Sequence, residues 1–263
     1  MTKLKYTMKN DVLFKMVFVQ NPDLLIRLIA QILCISLENI TEFVITNSEI
    51  PPDVVGEKFC RLDINMKVNG QKVNLEVQVA DEGDYTERSL YHWAREYSSA
   101  LVEGDKYRDL PRVIIISIIA FKFFKCPEFH SEYQPLEINR LTPLNDKMCM
   151  HYFELPKLPE VNNADDELKL WLTLFKAETE EDLAKIEALG VPVMSQAIGA
   201  YRHVSATDTF KELERLRSLA RHNEASALGH AERQGAEKER EKWQDIVADK
   251  DAEIARLRAL LGE

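Results

Sequence analysis

Residues 61–80 read RLDINMKVNGQKVNLEVQVA, and how this stretch folds decides the rest of the chain. Two alternating segments meet at Asn69-Gly70, a dipeptide suited to a type I′ turn because both central residues of that turn need positive φ. With Asn69 and Gly70 at the centre, Val68 opposes Gln71, and each step outward pairs one residue from either side. Met66 then faces Val73, Ile64 faces Leu75 and Leu62 faces Val77, an apolar set on one face of a half-buried strand pair. The other face carries Arg61 with Gln78, Asp63 with Glu76, Asn65 with Asn74 and Lys67 with Lys72. A slip of one residue would mix the two sets, so the sequence specifies the register.

This register sets Asp63 directly across from Glu76, with Cβ atoms about 5 Å apart, where like charges repel. Geometry alone leaves two outcomes open. The carboxylates can share a hard cation, because Mg²⁺ takes carboxylate oxygens at about 2.1 Å and is typically held by one or two carboxylates plus waters and phosphate oxygens. Alternatively they belong to a solvated polar face beside Lys67 and Lys72.

The chain has 263 residues, 45% of them apolar, enough for one sizeable core with an appendage. Its net charge is −10, so it is no generic nucleic-acid coat, and contact with nucleic acid has to come from a local patch and from metal. The four cysteines, Cys34, Cys60, Cys126 and Cys149, form no CxxC pair and no zinc spacing. The opening MTKLKYTMKND lacks the apolar run of a secretory signal, and the expectation is reduced thiols in a cytoplasmic protein. VIIISIIAF at 113–121 is too short to span a bilayer and reads as a strand buried on both faces. The six histidines show no ligand spacing. Neither a Ser-His-Asp nor a Cys-His arrangement is evident, and no glycine-rich phosphate loop occurs.

Along the chain, residues 10–20 form a first helix capped by Asn10 or Asp11. A second starts from Asn21 as cap with Pro22 at its first position. TEFVITNSEI at 41–50 reads as a strand stopped by Pro51-Pro52. Residues 84–104 read as a helix with Leu90, Ala94, Tyr97 and Leu101 as its apolar stripe and Gly104 at its end. Strand 73–79, this helix and strand 113–121 make a parallel βαβ unit. A further strand lies at 149–155. After Pro156 and Pro159 the pattern is helical, with capping-box patterns at Thr179…Asp182 and Ser205…Asp208. The division expected is an α/β core over 1–158, a helical extension over 159–206 and a charged helix or coiled-coil tail over 207–263. A heptad runs through the tail, with Val247, Ile254 and Leu261 at a, and Trp243, Lys250 and Leu257 at d.

The order helix, strand, strand with Asp63, strand with Glu76, helix, strand resembles the PD-(D/E)XK nuclease superfamily. More narrowly, the chain resembles its recombination-promoting nuclease/transposase family. The pieces that carry the likeness are NDVLFKMVF at 10–18, RLDI at 61–64, NLEVQ at 74–78 and the long run YTERSLYHWAREYSSALVEGDKYRDLPRVIIISIIAF at 85–121. FHSEY at 129–133, FELPK at 153–157 and the tail around HAERQGAEKERE also fit. The resemblance implies a restriction-endonuclease-like α/β fold, a mixed sheet flanked by helices, and the heptad adds a helical C-terminal extension ending in a short coiled coil.

It further implies a metal-dependent DNA endonuclease linked to recombination or mobile elements. Asp63 and Glu76 match the acidic positions of the motif and would hold Mg²⁺, or another divalent cation, with the backbone carbonyl of Val77. Gln78 falls where most superfamily members carry lysine. Glutamine neither carries charge nor releases a proton, so Arg61, its cross-strand partner, is the expected source of positive charge. Asp11 corresponds to an extra acidic residue on the first helix, with helix capping as the competing role. Arg88 is a candidate phosphate contact, while Tyr91 and Trp93 read as packing residues. The partners expected are DNA and a second copy through the C-terminal helix, with no membrane. The competing function is a non-catalytic scaffold of the same fold that recruits partners through its coiled coil.

Overall fold

In the computed structural model, residues 2–47, 63–101, 104 and 106–261 are described. Asn69 and Gly70 both adopt positive φ, 49° and 74°, and the chain reverses there between β2 (Ile64–Val68) and β3 (Gln71–Gln78). The register is the one the turn demands, with Ile64 opposite Leu75, Met66 opposite Val73, and Asn65 opposite Asn74. Arg61 and Leu62 lie outside the described residues. Asn69 also ties the turn to the chain ahead of β1 (Phe43–Ile45). Its Oδ1 accepts from the amides of Thr41 at 2.9 Å and Glu42 at 3.1 Å, and its Nδ2 donates to the Asn39 carbonyl at 2.8 Å.

The sheet continues from β3 through β4 (Val113–Ile119) and β6 (Met148–Glu154) to β5 (His130–Tyr133). Among the described residues it has six strands in the order β1-β2-β3-β4-β6-β5. β3, β4 and β6 run parallel, and the outer pairings are antiparallel. Helix α3 (Tyr85–Ser98) makes the crossover from β3 to β4. All seven residues of β4 are buried, as a central parallel strand covered on both faces requires. β5 was not evident in the sequence, since HSEY is short and mostly polar. It forms as an edge strand along β6.

One face of the sheet carries Ile64, Met66, Val73, Leu75, Ile114, Ile116, Ile118 and Phe153. Packed on it are α1 (Asp11–Gln20), α2 (Pro22–Ile32), α4 (Glu167–Lys176) and α6 (Pro192–Ala206). Phe14 and Phe18 of α1 meet Phe175 and Trp171 of α4 with ring centroids 6.0–6.1 Å apart. The helices of 167–206 therefore share a core with the first two helices. The opposite face holds a smaller cluster of Tyr85, Val113, Ile115, Ile119, Met150 and Tyr152 under α3.

The caps bear out the sequence reading at α1 and at Thr179–Asp182 and differ from it at α2 and the last helix. Asn10, not Asp11, caps α1, its Oδ1 accepting from the Leu13 amide at 2.9 Å. Asn21 makes no cap bond for α2; its Nδ2 donates back to the Val17 carbonyl at 2.7 Å and closes α1 instead. The Thr179–Asp182 capping box opens α5 (Glu180–Ala188) as expected. The last helix, α7 (Asp208–Leu261), is capped by Thr207 rather than Ser205, for the Thr207 hydroxyl accepts from the Phe210 amide at 3.2 Å. Ser205 is still inside α6.

The stripe expected on α3 is also displaced. Leu90 is 46% exposed and Ala94 is exposed. The inward line is Tyr85, Ser89, Trp93 and Tyr97, four residues apart, with Trp93 stacked on Tyr97 at 5.0 Å. Trp93 is thus a packing residue, whereas Tyr91 is 64% exposed. α3 lies over the smaller cluster, so the aromatic line Tyr85, Trp93 and Tyr97 packs inward on it, while Tyr85 and Ser89 also reach Glu76 and Tyr152.

Asn69→Ala should lower stability by about 2 kcal/mol, from the left-handed backbone it occupies and the bonds its amide makes. Chemical denaturation of the purified chain measures this. A change under 0.5 kcal/mol would show that the turn does not set the hairpin.

Candidate functional site

The alternation of the hairpin puts Asp63, Asn65 and Lys67 on the same face as Lys72, Asn74, Glu76 and Gln78, opposite the main core. Asp63 sits one residue outside the last described pair, Ile64 with Leu75. Its start is held by Asn47, whose Nδ2 donates to the Asp63 carbonyl at 3.0 Å and whose Oδ1 accepts from the Asn65 amide at 2.7 Å. The Asp63 carboxylate accepts from Asn65 Nδ2 at 3.1 Å and from Asn74 Nδ2, and Asn74 also donates to Asn65 Oδ1 at 2.8 Å. Two facing asparagines thus orient the aspartate without neutralising it.

Glu76 is half-buried and in register with the buried Ser117 of β4. Its Oε1 accepts from the Tyr85 hydroxyl at 2.5 Å. Tyr85 opens α3 and is 1% exposed. Burial, then the adjacent Glu76 carboxylate, pushes its hydroxyl well above the ordinary tyrosine range, so it remains a donor. Ser89, one turn on, shares a 2.6 Å hydrogen bond with Tyr152 of β6. The sequence reading did not find Tyr85. The signal was present as the i, i+4 pair Tyr85/Ser89 directly after the acidic strand, obscured by a more apolar stripe on another face.

Gln78 ends β3 on the same face, its Nε2 donating to the Ala80 carbonyl at 2.8 Å. The backbone of β3 alternates. The Lys72 amide bonds to the Arg112 carbonyl and the Gln78 carbonyl accepts from the Ala120 amide, both on the β4 side. The Val77 carbonyl is therefore directed away from β4, to the side where Asp63 lies. A cavity of about 320 Å³ adjoins the asparagine pair and is bordered by Lys67, Lys72 and Glu96.

The other proposed residues are placed elsewhere or engaged. Arg61 falls outside the described residues. Asp11 forms ion pairs with Arg217 at 2.9 Å and Arg221 at 3.0 Å, both on α7. Arg88 pairs with Glu82 and lies 4.9 Å from the centre of the Tyr85 ring.

A second group went unrecognised in the sequence. Glu132 of β5 stands opposite His151 of β6, and Cys149 is two residues before His151 on the same face. Cys149 Sγ lies 3.1 Å from His151 Nε2 and 3.3 Å from Glu132 Oε1. Cys149, His151 and His130 therefore do converge, which their spacing in the sequence did not indicate. Burial holds His151 down at about 4. Burial, then Glu132, pushes the Cys149 thiol up to about 11, with Arg112 opposing. The only hint in the sequence was Cys-x-His within a strand, since alternation puts both side chains on one face.

A mixed sheet flanked by helices, with two carboxylates on one face of its antiparallel hairpin and a βαβ unit following, defines a nuclease-like α/β protein of the PD-(D/E)XK type. The family model for PD-(D/E)XK nuclease family transposase matches residues 8–231, and the chain belongs to that family. Searches among curated proteins and among solved structures find no significant match. No helix among the described residues is long and apolar enough to cross a membrane.

Tyr85→Phe should cost about 1.5–3 kcal/mol, the range for a hydrogen bond to a charged group. Tyr91→Phe, at an exposed position, should stay within about 0.5 kcal/mol. Equal losses in urea unfolding would show that the Tyr85 hydroxyl does not hold Glu76.

Proposed function

We propose that the chain is a divalent-metal-dependent DNA endonuclease that hydrolyses phosphodiester bonds, acting in recombination or on mobile elements. The observation that supports this best is the placement of Asp63 and Glu76 on one face of the β2–β3 hairpin, within a chain of this nuclease family. The donor set fits the group. Two carboxylates and the Val77 carbonyl are all-oxygen ligands, which suit a hard cation such as Mg²⁺. When bound, that cation supplies a water of lowered pKa and polarises a phosphoryl oxygen.

The chain's own residues do the rest. Asn65 and Asn74 hold the Asp63 carboxylate, and Tyr85 the Glu76 carboxylate, with neutral donors. Gln78 offers an amide to orient the attacking water. Arg61 supplies the positive charge for the transferring phosphate that a lysine at position 78 would have given. Arg88, fixed by Glu82 and Tyr85, contacts a neighbouring phosphate, which positions DNA without reading its sequence. Asp11 is assigned to holding α7 through its two arginines. Beyond residue 231, where the family match ends, Trp243, Val247, Ile254, Leu257 and Leu261 of α7 are exposed at heptad spacing. They pair two copies in a parallel coiled coil, which would bring two centres to the two strands of a duplex.

Supercoiled plasmid should be nicked by the purified protein with Mg²⁺ and not with a chelator. Asp63→Ala and Glu76→Ala should abolish nicking, and Arg61→Gln should reduce it roughly 10²-fold. A folded protein that cuts with no divalent cation tested yet assembles stably would instead be the non-catalytic scaffold. Truncation after residue 231 should turn a dimer into a monomer in sedimentation equilibrium. An unchanged mass would remove the coiled-coil assignment.

A further inference from the structure

The far edge of the sheet holds a donor set of a different character from the hairpin. Glu132, Cys149 and His151 each offer one ligand atom, and the three atoms lie within 4.8 Å of one another. Cys149 and His151 are buried, and Glu132 is exposed. Antiparallel pairing of β5 with β6 creates the group, because it sets Glu132 across from His151 while Cys149 follows the same face. A fourth residue completes it. His130 Nε2 is 3.0 Å from His151 Nδ1, and the His130 ring is stacked on Phe153 at 4.3 Å.

We propose that Glu132, Cys149 and His151 form a Zn²⁺ site, separate from the carboxylate centre on the hairpin. The ligand chemistry selects the metal. Thiolate and imidazole suit zinc and disfavour Mg²⁺, and three protein ligands with one position left for water is a common zinc arrangement. The geometry about the sulfur is close to what is needed. Zn–S near 2.3 Å and Zn–N near 2.05 Å at a tetrahedral angle call for a sulfur–nitrogen separation of about 3.5 Å. The present 3.1 Å and 3.3 Å contacts need to open by only a few tenths of an ångström. His130 acts as an outer partner. Its bond to Nδ1 leaves Nε2 as the ligating nitrogen of His151 and fixes the ring. Glu132, on the solvent side, gives the ion its way in. On binding, the Cys149 proton leaves to solvent and the sulfur bonds the metal as thiolate. The ion would clamp β5, a four-residue strand at the sheet edge, onto β6.

The test is titration of metal-free, untagged full-length protein with Co²⁺ as a spectroscopic substitute for Zn²⁺. One equivalent should give a thiolate-to-cobalt charge-transfer band with tetrahedral d–d absorption, bleached by Zn²⁺ and unaffected by excess Mg²⁺. The band should survive Asp63→Ala and Cys126→Ser and vanish in Cys149→Ser. Glu132→Gln, which weakens one ligand, should keep the band with weaker Co²⁺ affinity, and His130→Ala should weaken that affinity by about 10–100-fold. No thiolate band, a band that persists in Cys149→Ser, or unchanged Co²⁺ affinity in Glu132→Gln would overturn the site. Loss of plasmid nicking has no bearing on this readout, and loss of the band has none on the hairpin centre.

Discussion

The positive φ angles at Asn69 and Gly70 lock the β2–β3 register, and with it the side on which each hairpin residue emerges. In a strand pair of period two, one choice of register settles both faces together. Ile64, Met66, Val73 and Leu75 go into the main core, which anchors the hairpin rigidly. Asp63 and Glu76 come out on the other side because the first set goes in. The apolar residues between them set the side on which the carboxylates emerge. Asn69 then serves twice, since its amide also fastens the chain leading into β1.

Acidic side chains gathered on one face are a liability unless something orients them. Here neutral donors take part: two asparagines at Asp63 and a buried tyrosine at Glu76. Neutral donors fix direction without cancelling charge, which a lysine at the same contact would do. This explains the inward face of α3. Tyr85 and Ser89 are chosen over Leu90 and Ala94 because the surface below offers Glu76 and Tyr152 as partners. Trp93 and Tyr97 bury aromatic surface on the same side, so the inward face of α3 serves packing and polar contacts together.

The same reasoning explains what was legible beforehand. The hairpin, its register, the buried strand β4 and the parallel βαβ unit are local or periodic features, and turn chemistry and alternation spell them out. Asp63 and Glu76 follow from that alternation. Tyr85 does not, for its role depends on how a helix rotates over a sheet. β5 is four residues of mostly polar sequence and exists because β6 offers it an edge. The Glu132–Cys149–His151 group depends on β5, so a pattern that hid the strand hid the cluster as well. Asp11 reads as a cap or a ligand in the sequence, and only the return of α7 from some 200 residues away shows its two arginines.

That return has a mechanical consequence. α7 is 54 residues long, about 80 Å at helical rise. Its first turns are seated by Phe210, Leu213 and Ala220 and by the Asp11 ion pairs, and from residue 230 on every described residue is exposed. A compact body with a rod attached drags more water than its mass suggests. Such a chain elutes early from a sizing column even as a monomer, so its stoichiometry has to be read from light scattering or sedimentation equilibrium rather than from retention volume.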